Sequence, residues 1–132
     1  MSTHEMQIRV RYRECDPMGV VHHTVYPIWF EMGRTELLRM TGVSYRELED
    51  QGVLLAVVGL QVRYRRPARY DEVLRLETSL KSVGHVKVEH AYRLFRDEEL
   101  LVTGETTLAC LNLDGEACPL PDLLLAPQPE SD

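Results

Sequence analysis

The sequence predicts an α+β fold in which one antiparallel sheet curls around a single long helix. Three observations lead to this prediction. One broadly apolar stretch with helical signals spans residues 24–40, strand-like segments fill residues 53–113, and short turns join most of those segments. Sequential hairpins imply antiparallel pairing. Because one helix cannot cover both faces of five strands, we expect the sheet to curl around it.

Length and composition favour one globular domain. The chain has 132 residues, of which 44% are hydrophobic and 27% charged, enough for one core but not two. We expect a single domain over residues 1–132, with its core at 6–115 and a C-terminal tail at 119–132 that is loose beyond Ala126. The net charge of −6 argues against a nucleic-acid partner.

Cysteine usage and hydropathy bear on the compartment. The chain has three cysteines without paired spacing, so we expect no disulfide framework and a reducing cytoplasm. No apolar run approaches the roughly 20 residues that a membrane-spanning helix needs, and we expect no membrane insertion.

The N-terminal region predicts a strand followed by a constrained turn. Apolar side chains alternate with arginines over residues 6–13, which is typical of a half-buried strand. Asp16 precedes Pro17, and this context disfavours helical backbone at the aspartate. Gly19 then permits a turn that other residues resist.

Two helices are predicted next. The long helix should begin near residues 24–27, capped by Thr24, and end near Met40. A Ser-x-x-Glu capping box predicts a short second helix at residues 44–50. The broad apolar face of the long helix comprises Ile28, Trp29, Met32, Leu37, Leu38 and Met40.

Strand signals occupy the rest of the core. Alternating or continuous apolar segments are separated by Pro67 and by polar or glycine-containing turns. The predicted strands are 53–66, 73–78, 86–94 and 100–113. The segment 82–84 is predicted as a turn or bulge, and residues 112–115 as the turn that closes the last strand.

The motif D-x-x-G-V-V-x-H-x-x-Y, which leads into the long helix, resembles the hotdog-fold acyl-CoA thioesterases of the 4-hydroxybenzoyl-CoA thioesterase type. This type includes the bacterial Tol-Pal cluster acyl-CoA thioesterases. The resemblance covers about residues 6–115, and residue types, spacing and the following helix all agree. The matching residues are Tyr12, Glu14, Asp16, Gly19, Val20, Val21, His23, Tyr26, Glu31, Arg34, Val62, Tyr64, Pro67 and Asp71.

This resemblance implies a hotdog fold and hydrolysis of an acyl-CoA to a free acid and coenzyme A. Asp16 is then the catalytic carboxylate, either as nucleophile or as general base. The backbone N–H of His23, or of its neighbour, polarises the thioester carbonyl. N-terminal helix amides suit that role because they have no intrahelical partner and carry partial positive charge. No cofactor is needed, since coenzyme A belongs to the substrate.

The resemblance also implies a homodimer or a dimer of dimers, with each active site at a subunit interface. The pantetheine arm would pass between subunits, and coenzyme A phosphates are one explanation for the arginine cluster at residues 63–69. The length and aromaticity of the acyl group stay open. The implied substrate-binding residues are Gly19, Val20, Tyr26, Glu31, Val58, Gly59, Arg63 and Arg65.

Other interpretations of the same residues remain. A hotdog 3-hydroxyacyl-thioester dehydratase would use a histidine and an acid, and a non-catalytic dimer would only bind acyl-CoA. Asp16 could serve the turn alone. No metal is expected, because His22 and His23 should point to opposite faces of an extended segment. Cys15 is expected to be buried at the strand end, and Tyr64 to serve packing.

Overall fold

The computed structural model describes residues 3–121, and the predicted loose tail beyond Ala126 lies outside them. Five strands and two helices follow one another in the predicted order. The strands are β1 (Thr3–Arg9), β2 (Leu54–Tyr64), β3 (Val73–Val83), β4 (Lys87–Arg96) and β5 (Glu99–Leu111); the helices are α1 (Tyr26–Arg39) and α2 (Tyr45–Asp50).

The strands form one sheet in the order β1-β3-β4-β5-β2, and every pairing is antiparallel. The predicted α+β class and the curled sheet around one helix are confirmed. β1 and β2 are the edges, so the long strand β2 is hydrogen-bonded on one side only. The register of β2 against β5 shifts between Val57 and Gly59, and that of β3 against β4 shifts between Leu80 and Ser82.

Helix α1 packs on the concave face of the sheet. Phe30 is fully buried and stacks on Tyr92 of β4, with 4.3 Å between ring centroids. Gly104 of β5 leaves room for that ring, because a Cβ atom there would lie 2.3 Å from Phe30 Cε2. Gly33 allows a similar approach, since a Cβ atom on it would lie 2.2 Å from the Thr78 hydroxyl. Glycine therefore sets the depth at which the helix sits.

Two predictions about the first 40 residues are wrong in detail. The first strand ends at Arg9 rather than at residue 13, because the chain turns through a short 3-10 helix at Tyr12–Glu14. Helix α1 has Val25 at its N-cap without a side-chain cap, while the Thr24 hydroxyl pairs with His22 Nδ1 at 2.7 Å. The Thr24 hydroxyl is thus engaged by a residue two positions before it rather than by an amide of the helix.

The broad apolar face of α1 is only partly covered within one chain. Trp29 and Leu37 are buried, but Ile28 is 56% exposed and Met32 is 41% exposed. The predicted surface pair of Glu31 with Arg34 is also only half exposed: Arg34 is buried, and its Nη2 lies 3.9 Å from Glu31 Oε2.

Candidate active site

Asp16 opens a tight loop between the 3-10 helix and α1. Its N–H donates to Val20 O at 2.8 Å, and its carbonyl accepts from Gly19 N at 2.9 Å. Gly19 has φ +80°, a conformation that glycine adopts without a steric penalty. Oδ1 of Asp16 accepts from Met18 N at 2.8 Å, whereas Oδ2 receives no hydrogen bond from residues 3–121. One carboxylate oxygen therefore builds the turn and the other is available for chemistry.

The returning arm of the loop is bonded to the chain on both sides. Val21 N donates to Ala68 O at 2.8 Å, and Val20 forms an isolated bridge with Arg69. Cys15 pairs with Val21 across the loop itself. These bonds hold the loop against the segment that follows β2.

The N–H group of His23 is an available amide at this helix entrance, and that of Tyr26 likewise has no acceptor within residues 3–121. His22 N donates to Glu14 O at 2.9 Å, Thr24 N to His22 Nδ1 at 3.2 Å, and Val25 N to His22 O at 3.0 Å. No acceptor within the described residues receives the His23 N–H. A free amide at the beginning of a helix is a donor suited to a developing negative charge.

A cavity of about 260 Å³ lies beside His23. Tyr64 of β2 donates its hydroxyl to the His23 carbonyl at 3.0 Å, and its ring lies edge-on to Tyr26 at 5.5 Å. Tyr64 was expected to serve packing; its ring does pack on Tyr26, and its hydroxyl also orients the peptide that follows the free amide. The cavity is lined by Val21, His23, Tyr26, Tyr64, Arg65, Arg66 and Pro67.

The two histidines do not point to opposite faces. Their ring centroids lie 4.4 Å apart, because residues 23–25 form a turn rather than an extended segment. Within the described part of the chain, no group of three or more His, Cys, Asp or Glu residues is placed to hold a metal ion. Cys15 is half-buried against the main core, and burial raises the pKa of its thiol.

The other residues implied by the resemblance lie apart from this cavity in a single chain. Glu31 lines a second cavity of about 440 Å³ between α1, α2 and the beginning of β2. Val58 and Gly59 lie at the bulge of the edge strand, and Arg63 lines a shallow depression with Arg93 and Glu105. Of the two arginines implied as substrate-binding, only Arg65 lines the cavity beside His23.

Glu14 is a residue of this region to which sequence analysis assigned no role. Its side chain is only 6% exposed, and its carboxylate accepts from Trp29 Nε1 at 3.0 Å. A buried indole N–H needs an acceptor, and Trp29 is the one tryptophan of the chain. The sequence predicts that a buried Trp29 needs an acceptor, but it does not identify that acceptor, which is 15 positions away.

This fold and loop define a hotdog domain of the thioesterase type, and comparison with known proteins agrees. The model of the thioesterase-like superfamily matches residues 10–128. The Bacillus subtilis protein YneP, provisionally named an acyl-CoA thioesterase, is 32% identical over 85% of this chain and 82% of its own length. The acyl-CoA thioester hydrolase YbgC of Escherichia coli is 31% identical over 80% of this chain and 79% of its own.

A solved structure gives the same result. The DHNA-CoA thioesterase of Staphylococcus aureus superposes with a TM-score of 0.84, at 32% identity, over 91% of this chain and 80% of its own. The chain belongs to the thioesterase-like superfamily and is a thioester hydrolase with a hotdog fold. The predicted family resemblance is thereby confirmed. Neither α1 nor α2, the helices found in residues 3–121, has the length and hydropathy to cross a membrane.

Proposed function

We propose that this chain hydrolyses an acyl-CoA thioester to a free carboxylic acid and coenzyme A. One observation carries the proposal: a loop carboxylate with a free oxygen, on Asp16, is followed at the entrance of α1 by the free N–H of His23. A carboxylate and an amide donor are the two groups that acyl transfer from a thioester requires. The acyl-CoA thioesterase names of YneP and YbgC support the substrate class.

The proposed mechanism begins with the thioester carbonyl accepting the His23 N–H, which stabilises the oxyanion that develops in the transition state. Asp16 then acts in one of two ways. As a nucleophile it attacks the carbonyl carbon and expels the thiolate, and water cleaves the resulting mixed anhydride. As a general base it takes a proton from the water that attacks the same carbon. Both routes consume one water and need no cofactor.

We further propose that the active unit is a homodimer paired through β2, or a dimer of such dimers. β2 is an 11-residue edge strand with several exposed apolar side chains, which makes it suited to pairing with a second copy. Exposed Ile28 and Met32 on α1 add apolar area on the helix. A second chain would also bring residues that do not line the His23 cavity in one chain, such as Glu31, Val58 and Gly59, to the site. The exposed apolar residues of β2 are Leu54, Val57, Val58, Leu60 and Tyr64.

A charge placed on this edge should dissociate the dimer. Leu60→Glu puts a carboxylate on a residue that is 50% exposed in one chain, and burying that charge in an interface is unfavourable. We expect sedimentation velocity to show monomers for Leu60→Glu and dimers or larger assemblies for the wild type. Leu113→Glu, at a residue 75% exposed in a turn, is the matched control and should stay assembled. A wild type that is monomeric and fully active contradicts the proposal.

Arg65 is the arginine best suited to meet a coenzyme A phosphate near the His23 cavity. It lines that cavity and forms no salt bridge within residues 3–121, whereas Arg66 Nε lies 3.1 Å from Glu99 Oε2. An unpaired guanidinium is free to bind phosphate oxygens. Arg63, on the other side of the sheet edge, is a weaker candidate in one chain.

Thiol release tests the function directly. We would incubate the wild type with short aliphatic, long aliphatic and aromatic acyl-CoAs and measure free thiol; we expect release from at least one class, and the best substrate defines the acyl preference. A dehydratase would instead change the absorbance of enoyl or 3-hydroxyacyl thioesters without releasing thiol. A binding protein would return its acyl-CoA intact, and either result would overturn the proposal.

The cytoplasm is the proposed site of the reaction. All three cysteines are free thiols in the structure, which suits a reducing compartment. Fractionation of cells that express the chain, followed by immunoblotting, tests this location.

A further inference from the structure

We propose that Glu14 is a positioning residue, whose buried carboxylate ties the loop carrying Asp16 to helix α1 and so sets the loop geometry relative to the His23 N–H. The effect on rate rests on the function proposed above, but the effect on geometry does not. Glu14 touches neither of the two groups through its side chain, so it acts through the loop.

The carboxylate of Glu14 receives three hydrogen bonds. Oε1 accepts from Arg11 N at 2.7 Å, and Oε2 accepts from Trp29 Nε1 at 3.0 Å and from Arg11 Nη2 at 3.3 Å. Arg11 follows β1 and Trp29 belongs to the first turn of α1, so one carboxylate joins the end of a strand to the beginning of a helix.

The main chain of Glu14 completes the link to both candidate catalytic groups. Its carbonyl accepts the N–H of His22, the residue before the free amide, at 2.9 Å. On the other side, Glu14 is two residues before Asp16, and the intervening Cys15 pairs with Val21. Glu14 therefore lies at the base of the loop. One arm of the loop continues from there to Asp16, and the other ends at His23.

The electrostatics of the site keep this link intact over a wide pH range. Burial raises the pKa of Glu14, but the hydrogen bonds from Arg11 and Trp29 and the charge of Arg11 outweigh it, so the pKa lies below the ordinary value of 4.5. A group whose pKa is lowered by folding stabilises the folded state above its unfolded pKa and loses that contribution as pH falls through its folded pKa. Glu14 is therefore ionised, and the link is complete, at neutral pH.

Buried carboxylates are unfavourable unless several donors satisfy them. An apolar side chain would fill the same space if packing were the only requirement, although Trp29 would then lose its acceptor. The three donors on Glu14 instead make the position of the loop depend on a directional contact. A shift of about 1 Å in reacting groups can lower a rate roughly a hundredfold.

Kinetics of Glu14→Gln provide the first test. The substitution keeps the size of the side chain, but its NH₂ group cannot accept a hydrogen bond, so either Arg11 N or Trp29 Nε1 loses its partner. With the best acyl-CoA, we expect kcat to fall about tenfold to a hundredfold and KM to change little. In an Asp16→Asn background the same change should add almost nothing, because Glu14 acts through Asp16.

Two further variants separate positioning from loss of stability. Val88→Ala removes buried volume in a different core cluster and should lower the melting temperature while kcat is retained at temperatures where the protein is folded. Trp29→Phe removes the indole donor together with some buried volume, and it should lower kcat in the same direction as Glu14→Gln, by less. A normal kcat in folded Glu14→Gln, or an equal loss in Val88→Ala, would contradict the proposal.

NMR tests the geometry whether or not any thioester is cleaved. Because the chain has one tryptophan, its indole N–H gives a single resonance. We expect that resonance to titrate with a midpoint below the ordinary glutamate pKa of 4.5 and to move in Glu14→Gln, together with the amides of Met18 and His23. Unchanged Met18 and His23 amides in Glu14→Gln would overturn the positioning role. If the amides move as expected but the wild type cleaves no thioester, the structural role of Glu14 is supported and the proposed function is rejected.

Discussion

Replacing Asp16 with asparagine is expected to lower the rate of thiol release about a hundredfold or more, the scale of losing a catalytic acid or base. The reason is charge rather than shape. Asparagine Oδ1 can still accept the N–H of Met18, as Asp16 Oδ1 does at 2.8 Å, so the turn should persist. The group on the other branch becomes a neutral amide, which neither attacks a thioester nor takes a proton from water.

The comparison requires that both proteins fold alike. Circular dichroism and melting temperature should match those of the wild type, because the turn hydrogen bond is retained. Asp114→Asn, in the exposed turn that follows β5, is the matched control and should release thiol at the wild-type rate. If Asp16→Asn keeps wild-type activity, another residue carries the chemistry, although the family assignment stands.

The second large effect is expected on stability. Phe30→Ala should lower the free energy of unfolding by about 3–5 kcal/mol, the range for deleting a fully buried aromatic side chain. Phe30 is 0% exposed, stacks on Tyr92 with a centroid distance of 4.3 Å, and lies against the backbone of Gly104. Its loss removes the contact by which α1 sits on the middle of the sheet. Urea denaturation of both proteins measures the difference.

Gly104 provides a check on that interpretation. In the wild type, Gly104→Ala should destabilise the protein, because its Cβ atom would lie 2.3 Å from Phe30 Cε2 and the ring cannot retreat through Tyr92. In the Phe30→Ala background the same methyl group enters the space left by the ring, and its effect should be neutral or stabilising. Equal effects of Gly104→Ala in both backgrounds would show that the helix is seated by other contacts.

Local chemistry made much of the fold predictable. Ser44 accepts the N–H of Glu47 at 3.2 Å at the beginning of α2, as the capping box predicted. The turn predicted at residues 112–115 has Gly115 at φ +80°, a conformation suited to glycine. Such features depend on residues a few positions apart, so periodicity and turn residues suffice to predict them. Asp16 and His23 lie in a motif within one loop, and their roles came from the resemblance of that motif to the thioesterase family.

The sequence by itself thus determined the fold class, the order of elements, the family and the loop in which to look for chemistry. Only the tertiary structure decided which groups in that loop are free. The His23 N–H has no acceptor within the described residues, whereas Glu14 and His22 accept the neighbouring amides. The buried carboxylate of Glu14 is in turn satisfied by Trp29, 15 positions later. The sequence likewise did not determine that the apolar face of α1 is partly exposed or that β2 has an unpaired edge. Burial and the choice of hydrogen-bond partner depend on elements distant in the chain, and no local pattern encodes them.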